Sequence, residues 1–119
     1  MKITNKDFEL YKKEVLKWMD EFKIGGWEVH FGIDEKDEEN IAGSEWSLKS
    51  KIVTFNICRD WRNNLLNTYE IKKSALHEVL HLAIAKITTM AVRRYVNRDQ
   101  VDEAEEEAVN TLINYILKK

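Results

Sequence analysis

The chain has 119 residues, a length that fits one domain with a core of its own and little surplus stability. Hydrophobic residues make up 44% and charged residues 34%, as in an ordinary globular protein, and a formal net charge of -2 lacks the basic excess that a nucleic-acid-binding face needs. The one cysteine, Cys58, excludes an intrachain disulfide and is too little for a thiolate zinc site; with no apolar N-terminal run and no bilayer-length apolar stretch, a cytoplasmic setting without membrane or nucleic-acid partners is expected.

Residues 5–22 carry Phe8, Tyr11, Val15, Trp18, Met19 and Phe22 at three- and four-residue steps, the period of an amphipathic helix. Gly25 and Gly26 follow and are expected to close it, since glycine accepts the left-handed conformation of a helix end. Trp27-Glu28-Val29-His30-Phe31 alternates apolar and polar residues as a half-buried strand does. Asp34 to Asn40 reads as an acidic, solvated loop. Residues 41–47 and 51–58 make the arms of a predicted hairpin that turns at Leu48 to Ser50, the second arm being rich in β-branched residues. Arg59 to Asn67 is polar and irregular apart from Trp61.

The helical period returns at Thr68, with Asn67 or Thr68 as cap and Glu70 in the first turn. Ile71, Leu76, Leu80, Ala83, Ile84 and Ile87 form a broad apolar face. Residues 88–98 fit either a continuation or a short separate helix. A last helix is predicted from about Asp99 to Leu117, with Val109, Leu112, Ile113 and Ile116 on one face. A helix, then grouped strands, then grouped helices predict a single α+β domain over residues 1–119, with a small, mostly antiparallel three-stranded sheet.

His77-Glu78-Val79-Leu80-His81 is an H-E-x-x-H run inside the strongest helical pattern of the chain. Histidines four residues apart stand one turn apart on one helix face, where both imidazoles reach a single zinc ion. Glu78 is set to reach a zinc-bound water and serve as general base. Two histidines on a helix also occur as partly buried polar residues. Here Ala75, Leu76, Val79, Leu80 and Leu82 make the helix apolar nearly all round, so unpaired imidazoles and a carboxylate would cost roughly several kcal/mol unless an ion compensates them.

Zinc needs a third protein ligand and an open position. No histidine follows His81, and Cys58 precedes the motif on a strand, so the carboxylates of the last helix remain. At about 100° per residue, Asp102, Glu105 and Glu106 project toward its apolar face, while Glu103 and Glu107 point away. Glu106 is the favoured ligand, because Asn110 stands one turn on and can support the outer nitrogen of a ligating histidine; Glu105 is the alternative. His30 alternates with Val29 and Phe31 and is expected at the surface rather than at the metal.

His77-Glu78-Val79-Leu80-His81 followed by Glu105-Glu106-Glu107-Ala108-Val109-Asn110 resembles the gluzincin clan of zinc metallopeptidases, whose third ligand is a glutamate on a later helix. Thermolysin-like members carry, four residues after that glutamate, an Asp that supports a zinc-binding histidine; Glu106 and Asn110 stand in those two places, with Asn for Asp. The element order is similar to that of the minimal gluzincins and of metallopeptidase-like proteins of bacteriophages and mobile elements. The resemblance implies a zincin-like minimal catalytic domain, a phage-related origin and metalloendopeptidase activity on a peptide or protein substrate.

The expected reaction is zinc-dependent hydrolysis of a peptide bond by a monomer or weak oligomer, with Glu78 moving the proton. Strand 51–58 is the expected docking edge for an extended peptide. Tyr95, Arg93, Arg94 and Arg98 are candidate donors to the oxyanion. Trp27, Trp46, Trp61 and Tyr69 are expected mostly in the core, with one of them a candidate to line the groove. A non-catalytic zinc-stabilised binding module and a self-inhibited pro-peptidase are the rival readings.

Overall fold

The computed structural model describes residues 2–35, 41–62, 65–85 and 98–117. Among these the order is α1 (Asn5–Glu21), β1 (Glu28–Asp34), β2 (Ala42–Ser47), β3 (Ile52–Cys58), α2 (Thr68–Ala83) and α3 (Arg98–Leu117), an α+β arrangement. Residues 36–40, most of the predicted acidic loop 34–40, and residues 86–97, most of the ambiguous stretch 88–98 with Arg93, Arg94 and Tyr95, lie outside the described residues. No helix among the described residues is long and apolar enough to cross a membrane.

Helix α1 starts at a capping box: the Thr4 hydroxyl accepts from the Asp7 amide at 3.2 Å, and the Asp7 carboxylate accepts from the Thr4 amide at 2.9 Å. Tyr11, Val15 and Met19 form its buried stripe. Its C-terminus differs from expectation. Lys23, not glycine, takes the left-handed position (φ 58°), with Lys23 N–H bonded to Asp20 O and Ile24 N–H to Met19 O. That is a Schellman closure, and the apolar pair Ile24 and Met19 selects its place over the glycines downstream. Gly26 (φ 80°) instead turns the chain into β1.

The sheet is mixed, with order β1-β3-β2. The hairpin β2–β3 is antiparallel as predicted, whereas β1 joins β3 in parallel. Strand β3 is therefore central and is not the free edge expected at 51–58. Its alternate residues Val53, Phe55 and Ile57 are fully buried, which is the apolar content a strand flanked on both sides requires. Directly paired residues share a face. So Val29, Phe31 and Ile33 of β1 and Ala42, Ser44 and Trp46 of β2 lie on the same side as this buried row. His30, opposite Thr54, lies on the other side, where it meets Glu28 at 2.6 Å.

One core cluster joins α1, that face of the sheet and α2: Tyr11, Val15 and Met19 pack with Val53, Phe55, Ile57, Trp61, Ile71, Ala75, Val79 and Leu82. The Tyr11 hydroxyl donates to the Asn56 carbonyl at 3.2 Å and ties α1 to β3. A second cluster, Leu76, Leu80, Val109 and Ile113, joins the opposite side of α2 to α3. Leu112 remains 40% exposed beside it rather than sharing the predicted face.

Candidate metal centre

Helix α2 is apolar on two sides because it is packed on two sides. Asn67 caps it by accepting from the Glu70 amide at 2.8 Å. From there Glu70, Ser74, His77 and His81 recur at the helical period and line one cleft of about 540 Å³, with Glu78 beside them. The opposite wall is the start of α3 (Arg98, Asp102, Glu105, Glu106), and β2 with Ile41 supplies the floor.

His77, His81 and Glu106 converge there. Their Nε2 atoms are 3.1 Å apart, His77 Nε2 is 3.3 Å from one Glu106 oxygen, and His81 Nε2 is 2.6 Å from the other. One donor atom from each residue lies within 4.8 Å of the others. Ligands of a tetrahedral zinc with bonds of 2.0–2.1 Å stand roughly 3.3 Å apart. The Glu105 carboxylate meets Nδ1 of His81 at 2.5 Å, and both side chains are nearly buried. A carboxylate can only accept, so the nitrogen that meets Glu105 is the one that carries the proton; in a neutral imidazole Nε2 is then an acceptor facing the Glu106 oxygen. Acceptors at 2.6 Å repel unless positive charge lies between them. A proton serves one such pair; a divalent ion serves all three residues together, and the donor set of two imidazoles and a carboxylate suits zinc.

The support expected from Asn110 is thus placed elsewhere. Asn110 is exposed, and Glu105, the alternative ligand, sits on the outer nitrogen of His81, away from the converging atoms. Glu105 and Glu106, adjacent on α3, thus meet the two ring nitrogens of the same histidine.

Burial, and then the neighbouring His81, lower the His77 pKa and keep that imidazole in the neutral form a metal ligand needs. Glu78 is itself mostly buried, and burial raises its carboxyl above the usual carboxylate range. The Ser44 hydroxyl donates to Glu78 Oε1 at 2.9 Å. Ser44 carries no motif in the sequence; its only signal there is its phase in strand β2, which puts it on the buried face. Arg98 lines the cleft paired with Asp102 at 3.3 Å, and Trp46 is the tryptophan that reaches the cleft. Trp61 is fully buried, Trp27 is half-buried under the Lys51 ammonium, and Tyr69 is exposed.

The β2 backbone offers a further feature. Cys58 N–H bonds to Ile41 O at 2.8 Å, which continues the β2–β3 register as a hydrogen-bonded pair. Antiparallel pairs alternate, so Gly43, Glu45 and Ser47 face β3, while the amides and carbonyls of Ala42, Ser44 and Trp46 face outward. Among the described residues no strand pairs with that edge. No family model matches the sequence, and no curated protein and no solved structure matches the chain.

Proposed function

We propose that this chain is a zinc-dependent peptidase of the minimal gluzincin type, with His77, His81 and Glu106 as metal ligands and Glu78 as general base. The convergence of those two imidazoles and that carboxylate beside a buried Glu78 carries the reading. His77, His81 and Glu106 would hold the ion, which when bound would supply Lewis-acid chemistry to a carbonyl and a water near neutral pH. Glu78 takes the proton from the attacking water and passes it to the leaving amine. Its raised pKa suits the first step, since a carboxylate that is a stronger base than usual accepts more readily. Glu105 holds His81 in the tautomer that keeps Nε2 free for the metal. The outward amides and carbonyls of Ala42, Ser44 and Trp46 give an extended peptide a place to pair alongside the cleft.

Zinc analysis combined with Glu78→Gln tests this reading. The wild type is expected to hold one zinc per chain and to cleave unfolded protein or an extended peptide. The variant is expected to keep the zinc and lose about 10²- to 10⁴-fold in rate. Zinc retained by both proteins with no hydrolysis by the wild type would favour the zinc-stabilised binding module instead, or a self-inhibited pro-peptidase. Zinc well below one per chain, with both histidines intact, would remove the metal reading.

A further inference from the structure

The general base of the proposed peptidase is not held by α2 alone. Glu78 is buried between α2 and the sheet, and its Oε1 accepts from Ser44 at 2.9 Å. Ser44 belongs to β2, and its side chain faces α2 because its register partner is Phe55, whose side chain is fully buried on that face. The backbone amide and carbonyl of the same residue face the open edge. A carboxylate has two oxygens, and proton transfer needs one. With Oε1 occupied by a hydroxyl, rotation of the carboxyl group is restrained and Oε2 is the oxygen left for chemistry.

We propose that Ser44 is a positioning residue that fixes the Glu78 carboxylate from the strand on which the substrate pairs. The inference rests on the peptidase reading above. It ties the Glu78 carboxylate to the same residue whose backbone aligns the peptide, so that peptide and carboxylate keep a constant separation. Positioning of this kind acts on turnover more than on binding, because it concerns the reacting geometry.

The test compares zinc-loaded wild type, Ser44→Ala, Ser44→Thr and Glu78→Gln. Three readouts apply: kcat and KM on an extended peptide, the affinity of a peptidyl hydroxamate, and zinc content with thermal midpoint. A hydroxamate chelates the ion and hydrogen-bonds to the neighbouring carboxylate, so its affinity reports the orientation of Glu78 without turnover. Ser44→Ala is expected to lower kcat by about ten- to a hundredfold, the scale of a hydrogen bond to a charged group, with KM and zinc content unchanged. Hydroxamate affinity falls with it, and Ser44→Thr, which keeps the hydroxyl, restores both. Wild-type kcat and hydroxamate affinity in Ser44→Ala would overturn the proposal. So would a Ser44→Thr protein as defective as Ser44→Ala with a lowered midpoint, which would make Ser44 a packing tether. If wild type binds zinc and hydroxamate but cleaves nothing, the peptidase reading fails, and Ser44 stands or falls on hydroxamate affinity. If no zinc is held, both fall.

Discussion

The two sides of α2 are built to different standards. Toward α1 and the sheet, Ile71, Ala75, Val79 and Leu82 enter a cluster that contains Trp61, Tyr11 and Phe55, all fully buried. Toward α3 the buried cluster is smaller: Leu76 and Leu80 meet Val109 and Ile113, with Trp18, Phe22, Ile84, Ile116 and Leu117 partly buried against them. The histidines and Glu78 belong to the heavily packed side's helix, and the proposed third ligand belongs to the lightly packed one. The lesson is that half of the centre is held by the core whatever occupies it, while Glu106 is brought in by a small apolar contact and by the imidazoles it meets. An ion bridging the two helices would then contribute to the docking of α3 as well as to chemistry.

Deleting a similar side chain on each side is the strongest way to break that contrast. Ile71→Ala is expected to cost about 2–5 kcal/mol of global stability and to leave the zinc affinity of the folded protein unchanged. Ile113→Ala removes the same side chain from the smaller cluster, and is expected to appear chiefly as weaker zinc binding and faster amide exchange in α3. Equal effects of the two on zinc titrations would erase the distinction. Glu105→Gln sharpens it at the level of one hydrogen bond: zinc is still bound, about 10- to 100-fold more weakly, because His81 loses the charged partner of its Nδ1.

The pH profile probes the packed side. Glu78 must be ionised to accept a proton, and burial raises its pKa. In the metal-free protein its carboxyl is therefore expected to lose its proton at higher pH than an ordinary glutamate, read by carbon NMR titration. Titration at the ordinary Glu position would contradict the burial argument. The smallest effect is a control at the end of α1. Lys23→Gly relieves a left-handed residue at the end of α1 and should stabilise the fold by about 0.5–1 kcal/mol, read from thermal unfolding, with no change in zinc affinity.

What was legible from the residues follows the same division. The α1 stripe, the hairpin, the Asn67 cap and the start of α3 near residue 98 all rest on local period and capping, and the described elements fall there. The parallel addition of β1 depends on how a connection folds back, which no local period encodes, and so β3 is central and β2 lies at an edge of the sheet. The helical wheel turns Asp102, Glu105 and Glu106 toward the apolar face of the last helix but does not say which of them faces the converging nitrogens. That is decided by a rotation of α3 set by Val109 and Ile113 packing on Leu76 and Leu80. Asn110, one turn beyond Glu106, was read from spacing alone, and the packing leaves it exposed. Ser44 was invisible because its partner is 34 positions away, across a turn and a strand.

The central claim is that Glu106 completes a centre begun by His77 and His81. Its most direct test is zinc titration of the wild type beside Glu106→Ala and Glu105→Ala, with both histidines intact. The account predicts one zinc per chain for the wild type, the greater loss of affinity for Glu106→Ala, and a lesser loss for Glu105→Ala. Wild-type affinity in Glu106→Ala, or a greater loss in Glu105→Ala, would contradict it.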